Sequence, residues 1–222
     1  MNTETQKVVG RLIDNLTPVK RLPNPSLRAA AWLALGMPYV ALVVLVMSPR
    51  SNLVAKFSDA HFMIEQFAAL ITGISAAAAA CATTIPGYDR RIALLPFAPL
   101  VVWLASLGEG CLQILTADGF RNFASDWFCL PAIVLVGTVP AIAMAVMLRR
   151  GAPLTPKITT ALGGLAAAGL GNFGLRLFHP QDSSLMVLVW QMGSVLLLTL
   201  LCGMAGRLLL HWRLLNLNDK AA

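Results

Sequence analysis

The chain has 222 residues, of which 57% are hydrophobic and only 12% charged, about half the ~25% charge of an ordinary soluble domain. Its net charge is +7 and its mean hydropathy +0.72, and its Lys and Arg lie between apolar runs, where they set membrane topology instead of forming a nucleic-acid patch. No soluble stretch is large enough to house an enzyme, and no nucleophile–base, phosphate-loop or HExxH pattern is present.

The first 28 residues are the one sizeable polar segment. Thr3 and Gln6 have capping-box spacing. Val9, Leu12, Ile13 and Leu16 then form an apolar stripe at i, i+3, i+4, i+7, opposite Lys7, Arg11, Asp14 and Asn15. Pro18 ends this helix. Lys20, Arg21, Leu22 and Pro23 continue as a stiff, basic, extended stretch. A helix this short is marginal alone in water, so it folds by laying its stripe on a membrane surface or in a protein groove.

Six apolar runs follow, at residues 29–47, 62–85, 92–115, 128–148, 158–178 and 185–208. Crossing about 30 Å of hydrocarbon takes about 20 helical residues, so each reads as a span. The first run is too long for a cleaved signal sequence. Lys7, Arg11, Lys20, Arg21, Arg28, Arg90, Arg91, Arg149, Arg150, Lys157, Arg207, Arg213 and Lys220 fall on one side. Arg50, Lys56, Arg121 and Arg176 fall on the other. The positive-inside rule makes the richer side cytoplasmic, with both termini inside. The expected fold is all-α: an amphipathic segment (1–28), a six-span bundle (29–208) and a short cytoplasmic tail (209–222). Pro38, Pro96, Pro99 and Pro140 lie inside spans and predict kinks. Small residues at helical spacing, such as Ala76 with Ala80 and Gly163, Ala167 and Gly171, predict close helix packing.

Glu65, Glu109 and Arg176 map to the outer ends of their spans, as do His61, Cys111, Cys129, His179 and Gln191. Intramembrane charges are costly. An ion pair of Arg176 with Glu109 or Glu65 relieves the cost without a proton path. Cys129 and His179 are candidates for metal binding or oxidation, whereas Cys81 and Cys202 read as packing residues. No cysteine pair has metal-ligand spacing.

The run LIDNLTPVKRLP at 12–23, followed by RAAAWLA at 28–34, resembles the start of the NrsF family, negative regulators of extracytoplasmic-function (sigma-F-type) sigma factors. DWFC at 126–129, LRRGAPLTP at 148–156 and GRLLLHW at 206–212 extend the resemblance over essentially the whole chain. The resemblance implies a non-enzymatic anti-sigma factor of the bacterial inner membrane, with no cofactor and no direct nucleic-acid contact. It implies that the N-terminal segment holds a sigma factor and releases it on an envelope, oxidant or heavy-metal signal. It further implies two outer cysteine sensors. Cys129 falls on the first; the second is replaced by His179, and the family's Trp-His appears as Trp190-Gln191. A disulfide between the two family positions is therefore impossible. Cys129 acting alone, Cys129 with Cys111, Cys129 with His179 on a soft metal ion, and loss of the switch all stay open. A small transporter, or a membrane redox or metal-binding protein, is the alternative reading.

Overall fold

A computed structural model describes residues 3–14, 22–117, 129–151, 153–179 and 193–209, and these contain helices and turns but no strand. The helices are α1 (Thr3–Asp14), α2 (Pro25–Val46), α3 (Leu53–Phe57), α4 (Ala60–Ala82), α5 (Phe97–Ala117), α6 (Cys129–Arg149), α7 (Pro156–Phe178) and α8 (Gly193–Leu209), with a 3₁₀ turn at Arg90–Leu94. Six of them, α2 and α4 to α8, fall on the six apolar runs. Among the described residues, four stretches are long and apolar enough to cross a membrane: Pro25–Val46, Ala60–Ala82, Arg90–Gly108 and Pro156–Phe178. The apolar stretches in α6 and α8 are shorter, at Val134–Arg149 and Val195–Gly206.

Local chemistry explains where the helices begin. Asn24 caps α2, its side chain accepting from the Ser26 N–H at 3.3 Å, and Pro25 takes the first helical position, where it loses no hydrogen bond. Asp59 caps α4 by accepting from the His61 N–H at 3.1 Å. Its carboxyl sits below the ordinary value: desolvation works against this, but the backbone at Phe62 and His61 and the Lys56 side chain outweigh it. Asp89 accepts from the Arg91 N–H at 2.9 Å, so the third run opens as a 3₁₀ turn and its α-helix starts only at Phe97. Pro96 therefore precedes α5 and Pro99 lies in its first turn, places where proline breaks no helical bond. Among the described residues, only Pro38 and Pro140 lie in helix interiors.

Small residues decide which helix takes the centre. α7 has the lowest mean hydropathy of the four crossing stretches, 1.3, yet 83% of its apolar window is buried. α2 has the highest, 2.2, and is 33% buried. In lipid the most apolar helix gains nothing by hiding, whereas a helix of glycine and alanine lets backbones approach. α7 packs against α8, α4, α6 and α2. A Cβ on Gly169 would lie 2.9 Å from the Ala69 carbonyl oxygen and 2.9 Å from the Gly73 nitrogen, and one on Gly73 3.2 Å from the Ala166 oxygen. Helices α4 and α7 thus touch backbone to backbone. Gly174 meets Val40 of α2 and Val136 of α6, and Gly206 of α8 meets Pro156 and Thr160.

Candidate functional site

The arm α1 is short, and Val8, Val9 and Ile13 are 54%, 42% and 58% exposed. Three apolar side chains on a 12-residue helix are thus left uncovered. Leu12 lies on the same helix, in the position the stripe requires. Leu16, Pro18, Lys20 and Arg21 lie outside the described residues. Leu22 and Pro23 precede α2 without regular structure, Leu22 half-buried and Pro23 exposed.

Four residues beyond its cap, α2 is locked to the bundle by Arg28. This side chain was expected to act as a cytoplasmic charge, but it is 6% exposed. Its guanidinium donates to the Thr84 hydroxyl at 2.8 Å, the Cys81 carbonyl at 3.3 Å and the Met147 carbonyl at 2.6 Å. The last carbonyls of a helix have no intrahelical donor and carry partial negative charge, so one cation at the C-terminal ends of α4 and α6 satisfies both. One turn on, buried Trp32 donates from Nε1 to the Pro140 carbonyl at 2.9 Å. Thr84 packs against Gly151, where a Cβ would lie 2.4 Å from the Thr84 Cβ, and Thr159 of α7 bonds Thr83 at 3.0 Å. The beginnings of α2 and α7 and the ends of α4 and α6 therefore meet at one end of the bundle, with Arg90, Arg91, Arg149, Arg150 and Lys157 in the adjoining chain.

At the opposite end, Arg176 of α7 pairs with Glu65 of α4, Nη2 to Oε2 at 2.6 Å, with side chains 8% and 6% exposed. Glu65 is one of the two expected partners. Glu109 lies in α5. The guanidinium carbons of Arg176 and Arg50 lie 5.5 and 6.0 Å from the Phe62 ring centroid, within reach of its negative faces. The Arg50 N–H donates to the Leu177 carbonyl at 3.2 Å, and Arg50 Nε donates to Asn52 at 2.7 Å. This tail of α2, the start of α4 and the end of α7 form a second locked end.

The sensor candidates are placed by their elements. Cys129 is the first residue of α6, and His179 is the C-cap of α7, its N–H donating to the Leu175 carbonyl at 2.9 Å. Cys111 lies in the second half of α5. Among the described residues no group of three His, Cys, Asp or Glu is arranged to hold a metal ion. The residues that sequence reasoning missed are Arg28, Thr84, Trp32 and Arg50. The cap signal Asn24-Pro25 places Arg28 on α2 instead of in the preceding loop, but its burial depends on the ends of α4 and α6 that it meets.

The chain matches no curated protein and no solved structure. A family model described as the negative regulator of sigma F matches residues 12–212. That match takes in the C-terminal part of the α1 stripe, both locked ends and every apolar helix, and the chain accordingly belongs to the NrsF family of negative regulators of sigma F.

Proposed function

We propose that this chain is a membrane-anchored anti-sigma factor whose N-terminal segment, residues 1–28, holds an extracytoplasmic-function sigma factor at the cytoplasmic face. The observation that carries this reading is the uncovered apolar face of α1, joined within about ten residues to a helix fixed into the bundle. An amphipathic helix of 12 residues is marginal by itself. Folding on a partner costs ordering entropy, which keeps the hold reversible. The sigma-binding surface in this reading is Val9, Leu12, Ile13 and Leu16, followed by Pro18, Lys20, Arg21, Leu22 and Pro23. The basic end of the bundle faces the cytoplasm, which fits the distribution of Lys and Arg, and the Glu65–Arg176 end faces outward. A regulator of this kind needs no catalytic group. The bundle supplies an anchor that an outside signal biases between two packings, and a few kcal/mol suffice for that. Cys129, with Cys111 or His179 as the second group, is the place where an oxidant or soft metal ion acts.

The test is co-purification. Full-length chain, isolated from membranes of cells that also produce an extracytoplasmic-function sigma factor of the same organism, retains that protein. The double variant Val9→Asp/Ile13→Asp, present in membranes at the same level, loses it. Equal retention by both overturns the assignment of α1. Binding of the arm to anionic vesicles with no sigma factor retained makes α1 a membrane-surface element. In a sigma-dependent reporter strain, a normal oxidant response from Cys129→Ser removes the thiol from the signal path.

A further inference from the structure

A cavity of about 140 Å³ lies between α6, α7 and α8. Its walls include Gly137, Gly164, Ala168, Gly171, Asn172 and Cys202. It reaches the lipid side past Val134 and Thr138, both exposed. A gap of this kind in a membrane bundle is costly, because the small residues that line it lose packing on one side. Apolar walls alone would accept a stray acyl chain. One atom departs from that pattern. Asn172 is 7% exposed, and its Oδ1 is buried with no hydrogen-bond partner. The hydroxyl of Thr138 on the wall already donates to the Val134 carbonyl one turn back. Leaving a buried amide unsatisfied costs about 1–3 kcal/mol, and bundle packing gives no return for it here.

We infer that this cavity is a binding site for a small, uncharged, membrane-soluble molecule that carries a hydroxyl group on a single ring. Volume sets the size: an apolar cavity of about 150 Å³ holds one benzene ring. The Asn172 amide sets the polarity. A hydroxyl both donates and accepts, so it pairs with the carboxamide whichever way the amide is turned. Among the described residues no charged side chain lines the walls, which sets the charge, since an ion would be left unpaired in hydrocarbon. Gly137 marks the space from the other side. A Cβ there would meet nothing within 4 Å, so a side chain at this position enters the cavity without displacing backbone. The site touches α7, the central helix, and lies far from α1 in sequence. It does not depend on the sigma-factor reading.

Cys202 supplies the readout, because its thiol lines the cavity whereas Cys81 is buried elsewhere among α4 residues. Full-length protein in detergent is treated with methyl methanethiosulfonate, and modification is followed at each cysteine by peptide mass spectrometry. Phenol is the probe, and toluene, its near-isostere without the hydroxyl, is compared at equal micellar concentration. Phenol is expected to slow modification of Cys202 about fivefold or more, toluene clearly less, and neither to change Cys81. Asn172→Leu should erase the advantage of phenol over toluene. Gly137→Leu should slow Cys202 modification without any probe and leave phenol with no further effect. The inference is overturned if phenol leaves Cys202 unprotected, if toluene protects the wild type equally, or if Cys81 slows in parallel.

Discussion

Two buried arginines, Arg28 and Arg176, join helices at opposite ends of this bundle. Arg28 satisfies carbonyls of two helices with one planar fork, a geometry that an ammonium does not match. Replacing it with Leu leaves the Met147 carbonyl without this donor and the Cys81 carbonyl with only the Thr84 hydroxyl. Hydrogen bonds to a charged group contribute about 1.5–3 kcal/mol each, so Arg28→Leu should lower unfolding stability in detergent by at least about 2 kcal/mol. Arg28→Lys should recover only part of that loss. Arg176 is the other case. With Glu65 removed, a guanidinium stays inside the bundle with its 2.6 Å partner gone. Breaking a buried pair from one side costs about 3–5 kcal/mol, whereas replacing both members is often near neutral. Glu65→Gln should therefore destabilise strongly and Glu65→Gln/Arg176→Met much less. Additive losses in this double-mutant cycle would show that the two residues do not act as a pair.

Among the elements, the α4–α7 crossing brings two helix backbones into contact. The sequence pointed to Ala76 with Ala80 and to Gly163, Ala167 and Gly171 as packing residues, but the glycines that meet at this crossing are Gly73 and Gly169, whereas Gly163 and Gly171 face α6. Gly169 and Gly73 face one another across two backbones, and backbone cannot yield as a flexible side chain does. Gly169→Val should separate the helices and cost about 1–3 kcal/mol, the usual range for overpacking. Gly108→Ala is the control. A Cβ there meets nothing within 4 Å, and it gains about 1 kcal/mol of helix propensity. Loss of stability in Gly108→Ala equal to that in Gly169→Val would mean that the crossing has no special status. The arm α1 illustrates the reverse situation. Its periodicity was fully readable at Val9, Leu12 and Ile13, because a stripe at i, i+3, i+4 is a local property of the helix. What the stripe covers is not local, and no neighbouring helix of the bundle covers Val8, Val9 or Ile13.

For the molecule as a whole, the meeting of helix ends around Arg28 gathers the basic loops at one end. This yields a topology test. Reporter fusions after Arg91 and after Gly151 should behave as cytoplasmic, and a fusion after Asn52 as external. A reversed pattern would refute the orientation and leave α1 on the wrong side of the membrane for a sigma factor. The sequence by itself determined the class: an all-helical chain with apolar runs long enough to span, basic separators, one amphipathic arm and a family likeness along nearly its full length. Hydrophobicity and charge partition each segment between lipid and water independently of its neighbours, so no fold is needed to see them. Only the tertiary structure decided that Glu65 pairs with Arg176, that Arg28 is a buried lock instead of a surface charge, and that the least apolar of the four long apolar helices stands at the centre. Those outcomes depend on which helices approach one another. In lipid, that choice is made by close packing of small residues and by shared hydrogen bonds, which no single segment reveals.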